Sequence, residues 1–324
     1  MLRKLAAATS AWLLTVMIAS AVTAADQRPQ KSITLMHGFG AGGNADTISR
    51  LVAAGLAERL GATVIVDAKP GAGGNLASEL VSKATPDGHT LILLTGGHAV
   101  SGALYKSLRF DPVQAFSFVS LIGSFPFVVA TRADSSITDL SGLIAAAKTA
   151  PGKLTFSSVG FGSTQHLVGE LLSLTAEVKL THVPYRGGMQ PLTDLLGGNI
   201  DLIIDTITVT RQGITAGTLH GLGVTSAEPW PGLPKIPPIG SRIPGFEVIS
   251  WIGIAAPAGT PAPVITRLNE TLRAMVNDVA FQQKLDDLGV RAKATSPTEM
   301  RDFVAGEITR WNSVIDRAGL ARIE

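Results

Sequence analysis

Residues 33–46 read Ile33-Thr34-Leu35-Met36-His37-Gly38-Phe39-Gly40-Ala41-Gly42-Gly43-Asn44-Ala45-Asp46. A short apolar and β-branched run, Ile33 to Met36, passes into a glycine-rich loop. Beyond it Ile48, Leu51, Val52, Leu56 and Leu60 recur at helical spacing, so the helix that follows buries one face. The pentapeptide at 40–44, Gly-Ala-Gly-Gly-Asn, returns at 71–75 after the run Thr63 to Val66, and a third run spans Leu91 to Thr95. Strands alternating with helical patterns mark a parallel sheet covered by helices. In such a sheet both loops leave the same strand edge, where open α/β folds bind ligands.

Free backbone N–H groups at a helix N-terminus attract anions. Glycine also turns the chain at least cost where φ is positive, so turning is the competing reading of both loops. It competes hardest at 71–75, where Lys69-Pro70 already makes a turn. Asn44 suits an N-cap, and Asp46 falls in the first helical turn, where a negative charge is favoured.

A second wound unit runs from Phe127-Val128-Val129 through Leu154 to Ser157, Leu180 to Val183, Ile200 to Ile204 and Leu222 to Val224. The Pro-rich stretch Pro229 to Pro244 then reads as a return crossing, followed by the apolar run Trp251 to Ala256. The expected fold is α/β, two wound lobes with a ligand cleft between them. The first lobe takes residues 26–124, the second 125–226, and residues 227–324 hold the return crossing and the rest of the first lobe. The last helix opens with the capping box Ser296-Pro297-Thr298-Glu299 and stops at Gly319; Met300, Phe303, Val304, Trp311, Val314 and Ile315 form its core face.

The chain has 324 residues, 45% of them hydrophobic, with 35 Gly, 6 His and no Cys. Disulfides and thiolate metal sites are thereby excluded, and the apolar content excludes a disordered chain. Arg3-Lys4, the apolar run Leu5 to Ala21 and the small residues Thr23-Ala24-Ala25 read as a signal peptide over residues 1–25, with export to the periplasm. Removing Arg3 and Lys4 from 27 basic residues leaves 25 against 25 acidic ones. A neutral mature chain carries no whole-chain footprint for nucleic acid.

Gly38, Gly40 and Gly43 also satisfy G-x-G-x-x-G, with Asp67 ending the next strand. Export without a paired-arginine signal, and a carboxylate at Asp46 beside the would-be pyrophosphate, both count against a dinucleotide. No G-x-S-x-G elbow and no H-E-x-x-H pair occurs, so neither a serine nucleophile nor zinc is expected. His37 and His98 stand out because each lies just past a strand at the ligand edge. Ser163, in the loop Gly160 to His166, suits the cap of the following helix and is also placed to meet a ligand.

These segments come together in one family. Phe39 to Asp46, Lys69 to Asn75, Pro86-Asp87-Gly88-His89-Thr90-Leu91, Gly160 to His166 and His182-Val183-Pro184-Tyr185-Arg186-Gly187-Gly188 occur in an order that resembles the Bug-type substrate-binding proteins of tripartite tricarboxylate transporters. Asp194 to Gly198, Val224-Thr225-Ser226 and Ala256 to Pro261 fit as well, so the resemblance covers residues 30 to 320. The chain departs from that pattern at His37-Gly38, where Val-Pro is usual, at His89, where Tyr is usual, and at Pro229, where Arg is usual.

The resemblance implies a type II periplasmic binding protein that closes on a small carboxylate, without cofactor or metal, as a monomer that delivers to membrane permease subunits. Carried over by position, the ligand residues are Phe39, Ala41, Gly42, Gly43, Asn44 and Asp46, with Gly162, Ser163 and His166 opposite. Asp205 and His98 are further candidates. An exported α/β enzyme acting on a carboxylate in the same cleft is the alternative.

Overall fold

Strand β1 (Ile33–His37) buries alternate residues, Ile33, Leu35 and His37, as a half-covered strand must. The computed structural model describes residues 31–324; the leader read at residues 1–25 lies outside the described residues. After β1 comes helix α1 (Asn44–Leu60), whose Ile48, Val52 and Leu56 are wholly buried. Gly61 ends it in the left-handed conformation. Strand β2 (Val64–Ala68), helix α2 (Asn75–Ser82), strand β3 (Thr90–Thr95) and helix α3 (Gly96–Leu104) repeat the unit. Strand β1 is parallel to both β2 and β3, so the loops after all three strands open on one edge.

Strand β4 (Phe116–Arg132) is 17 residues long. It begins well before Phe127, where the sequence suggests a strand, because residues 116–129 are buried on both faces and show no polar alternation. The second wound unit follows as helix α4 (Leu140–Thr149), strand β5 (Thr155–Ser158), helix α5 (Thr164–Thr175), strand β6 (Thr181–Pro184), helix α6 (Gln190–Leu196), strand β7 (Ile203–Thr206), helix α7 (Ile207–Thr215) and strand β8 (Leu219–Val224). Strand β9 (Ile249–Pro257), helices α8 (Ala262–Val276) and α9 (Val279–Asp287), strand β10 (Arg291–Ala292) and helix α10 (Pro297–Ala318) complete the chain.

The pairing of β4 organises both lobes. Its first part lies antiparallel to β9 and closes the first-lobe sheet in the order β10-β4-β9-β3-β1-β2. Its last part pairs with β7 and β8, and the parallel pair β5 and β6 extends that second sheet through a bridge between Phe156 and Leu202. Pro126, with no N–H to give, falls where the partners of β4 change.

Three stretches of chain meet at this crossing, and Thr225 ties them. Its hydroxyl accepts from the Phe127 N–H at 2.8 Å and donates to the Val248 carbonyl at 2.6 Å. The segment after β8 stays against the second lobe, where Val224 N–H donates to the Pro237 carbonyl, before β9 re-enters the first sheet.

The capping box at Ser296 is formed on both sides, and Met300, Val304, Trp311 and Ile315 of α10 are buried. Among the described residues no helix is long and apolar enough to cross a membrane.

Candidate ligand-binding site

The cavity between the lobes is walled by the starts of four helices. Gly43, Asn44 and Ala45 bring the N-terminus of α1, Thr95 that of α3, Thr164 and Gln165 that of α5, and Thr206 that of α7. No side chain caps α1, α3 or α7, which leaves first-turn N–H groups there without a local acceptor. Phe39, Phe125, Phe127 and Val159 make the apolar part of the wall, and Ser250 adds a hydroxyl. The Thr164 hydroxyl is buried in this wall and has no hydrogen-bond partner among the described residues.

The wall holds no Lys, Arg or His, and its one ionisable side chain is Asp205. Asp205 is the penultimate residue of strand β7, buried just before α7 begins. Burial pushes its carboxyl up to about 7, against the two hydrogen bonds from Thr206 that favour the anion.

Closure rests on glycine. The Gly40 N–H donates to the Arg186 carbonyl across the cleft at 2.9 Å, and Gly40 forms a parallel bridge with Gly187. A Cβ at Gly40 would sit 2.8 Å from the Gly187 oxygen, too close for any side chain. The second glycine copy makes the same kind of contact, since a Cβ at Gly73 would sit 2.6 Å from the Phe161 oxygen. Each Gly-Ala-Gly-Gly-Asn segment therefore meets a glycine loop of the opposite lobe. Side chains add further crossings: Ser101 and Tyr105 each donate from 3.3 Å, to the carbonyls of Gly162 and Phe161, Thr208 Oγ1 lies 2.7 Å from both Asn44 Oδ1 and the Leu288 carbonyl, and Arg211 donates to the Asp287 carbonyl at 2.9 Å.

Of the residues singled out in the sequence, Phe39, Gly43, Asn44 and Asp205 line the cavity. Ala41 and Gly42 are exposed on the outer side of the loop. Asp46 is turned away and serves the loop: its Oδ2 accepts from the Gly42 N–H at 3.0 Å and from Arg50 Nε at 3.1 Å. Burial alone would raise this carboxyl, but Arg50 and the Gly42 N–H together hold it below its ordinary value. His37 lies fully buried beneath it, 3.3 Å from Oδ1.

His98 lies inside the first lobe, where its Nε2 donates to the Pro112 carbonyl at 2.8 Å and its ring stacks on Phe110. Ser163 spends its hydroxyl on the helix, accepting from the His166 N–H and donating to the Gly160 carbonyl at 2.6 Å. Gly162 packs on Tyr105. His166 lies beside His182, with ring centroids 4.4 Å apart and Phe161 edge-on to both. None of these four lines the cavity.

Sequence reasoning missed Thr95, Thr164, Gln165, Gly187, Gly188 and Ser250. The Gly187-Gly188 pair was visible as a motif, and Thr164 is one residue past the expected cap. Ser250 carries no local signal, because only the pairing of β9 brings it to the cleft.

Two α/β lobes that share one long strand and close backbone against backbone over a walled cavity define a two-lobed solute-binding protein. Comparison with known proteins gives the family. The model of the tripartite tricarboxylate transporter family receptor matches residues 48–320. The chain is 37% identical over 292 residues to a "UPF0065 protein in tcbD-tcbE intergenic region" of Pseudomonas sp. (strain P51), covering 90% of this chain and 87% of that one. It is similar to the structure of the periplasmic binding protein BugD, with a TM-score of 0.87 at 31% identity, over 91% of this chain and 100% of that one. It is also similar to R. palustris Rpa4515 with adipate, with a TM-score of 0.87 at 35% identity, over 91% and 99% of the two chains. The chain belongs to the tripartite tricarboxylate transporter receptor family, a family of periplasmic solute-binding receptors.

Two outcomes follow from this geometry. Gly40→Ala leaves each lobe intact and obstructs only the approach of Gly187. Overpacking of this kind costs about 1–3 kcal/mol, so ligand affinity falls by about 5- to 150-fold, while the unfolding temperature without ligand moves by no more than a surface change does. Calorimetry and thermal melts read the two; full affinity in the variant contradicts the contact.

Burial lowers His98 and His166 to about 4, and burial with the neighbouring His166 lowers His182 to about 3. Unfolded imidazoles titrate near about 6.5, so the unfolded chain binds more protons below that pH and stability falls with acidification. Asp205, shifted upward, offsets about one of the three in the window between its ordinary carboxylate value and about 7. Ring NMR signals of the three histidines should stay in the neutral position from pH 8 down to about 5, and the urea midpoint should decline from about pH 6.5 downward. A midpoint that rises on acidification contradicts the assignment.

Proposed function

We propose that the protein captures a small carboxylate in the inter-lobe cleft and delivers it to the membrane permease subunits of a tripartite tricarboxylate-type transporter. The observation that carries this reading is the convergence of four helix N-termini on a wall that contains no cation. Helix starts carry partial positive charge and free donors, each worth up to about 1–2 kcal/mol to an anion that is partly buried. The phenyl rings beside them suit a short hydrocarbon chain. Adipate, which accompanies the Rpa4515 structure, has both features.

In this reading the carboxylate takes the first-turn N–H groups of α1 at Asn44 and Ala45 and of α5 at Thr164 and Gln165, with the Thr164 hydroxyl as a further donor. Phe39, Gly43 and Asn44 form the first-lobe side of the site. Asp46 positions the loop, and the hydrogen bond from Thr208 to Asn44 latches the lobes. The chain's family and its solved neighbours are solute-binding proteins, which supports capture over turnover. Export to the periplasm rests on the leader read at residues 1–25 and on the family.

Mono- and dicarboxylates should protect the purified protein against heat while their amides do not. Ligand at about 100 times its dissociation constant adds roughly 2.7 kcal/mol to native stability, a rise of at least roughly 5 °C for a chain of this size. Thermal melts over a panel of acids, each beside its amide, read this directly, and equal shifts for acid and amide contradict an anion site.

A further inference from the structure

Inside the cavity one feature works against an anion. Both hydrogen bonds from Thr206 fall on Oδ1 of Asp205, and no donor among the described residues reaches Oδ2, although the residue is only 4% exposed and lines the cavity. A buried carboxylate without a cationic partner repels a second carboxylate that shares its space.

We propose that Asp205 sets the charge class of ligand the cavity accepts: a ligand with a second carboxylate enters together with one proton, held between that group and Asp205, whereas a carboxylate with a hydroxyl at its far end binds without it. The inference rests on the carboxylate reading above and specifies the ligand's other end.

Among the described residues, no cationic side chain near Asp205 is placed to neutralise a second negative charge. Strand β5 brings no ionisable group, and β4 carries only Arg132, at its far end. Helix α5 carries His166 and Glu170, α6 Asp194 and α7 Arg211; across the cleft α1 carries Asp46, Glu58, Arg50 and Arg59, with Asp46 paired to Arg50. None of them belongs to the cavity wall, and no charged group contributes to the displacement of the Asp205 carboxyl, which burial places at about 7. A proton is therefore available on Asp205 near neutrality and absent well above it. Protonated, Asp205 donates to a ligand carboxylate; ionised, it accepts from a ligand hydroxyl. The exchange moves a proton only, and no bond to carbon is made or broken.

The test is calorimetric titration of the wild-type chain with adipate and with 6-hydroxyhexanoate, and with the corresponding four- and eight-carbon pairs. Both carboxyls of the diacids are ionised throughout the range from about pH 7 to about pH 9. Over that range diacid affinity should fall by roughly 50-fold, approaching tenfold per pH unit, while hydroxy-acid affinity changes by less than about threefold. Titration at about pH 8 in two buffers of different ionisation enthalpy should show about one proton taken up per diacid bound and almost none per hydroxy acid. In Asp205→Asn the pH dependence of diacid binding should disappear; the buffer comparison decides the matter on the wild type alone if that variant does not fold. Equal pH slopes for the two ligand classes, diacid binding without proton uptake, or a slope that survives Asp205→Asn would overturn the inference and leave the carboxylate function standing. Failure of every acid to bind at any pH would overturn both.

Discussion

The contact on which the structure depends is bare backbone against bare backbone across the cleft. At Gly40 and Gly187, and again at Gly73 and Phe161, the lobes approach more closely than any Cβ allows. A hydrogen bond from Gly40 to Arg186 shows how far this goes, because it extends β-type pairing from one lobe to the other. Such an interface needs almost no side-chain ordering, so little rotamer entropy is lost when it forms. Side chains interlock elsewhere, at the α9–β10 turn, where Ile207 packs on Gly289 and Arg211 donates to the Asp287 carbonyl. Thr225 supplies the complementary constraint, holding the three crossing stretches together on the opposite side of the cavity.

The same glycines free the helix starts to do the electrostatic work. A cationic side chain reaching into the cleft would hold an anion strongly, but it would need a counter-ion or water when the lobes part. Partial charges on four helix N-termini are fixed by the backbone and are already in place before any ligand arrives. Asp46, Arg50 and Gly42 keep the first of these starts in position from outside the cavity. Asp205 is the exception to an otherwise uncharged wall, and its burial gives it a proton to share near neutrality.

Much of the fold was legible in the chain because each strand, loop and helix is a local unit whose periodicity shows its buried face. The glycine loops announced the edge of the sheet that carries the cavity. Their second role was hidden, since Gly40 meets a loop far along the chain and no local pattern encodes that pairing. His98 illustrates a different failure. It follows a strand at the right edge, but α3 starts at once and turns the ring back toward Phe110 and Pro112. At the start of α5 the error was a single position: Ser163 is consumed as the cap, and Thr164, the next residue, presents a free hydroxyl to the cavity. The length of β4 was concealed for a physical reason, because a strand covered on both faces loses the alternation that would reveal it.

The central claim is that the protein works by bringing these glycine loops together over a bound carboxylate. The chain contains no cysteine, so spin labels can be placed at will on two exposed helical positions, Glu58→Cys on α1 and Lys148→Cys on α4. Pulsed electron-spin distance measurement, without ligand and with a carboxylate that raises the melting temperature, tests the claim most directly. The free protein should give a broad distribution of longer distances that collapses to one narrow, shorter distance with ligand. An unchanged distribution in the presence of a bound carboxylate would contradict the claim.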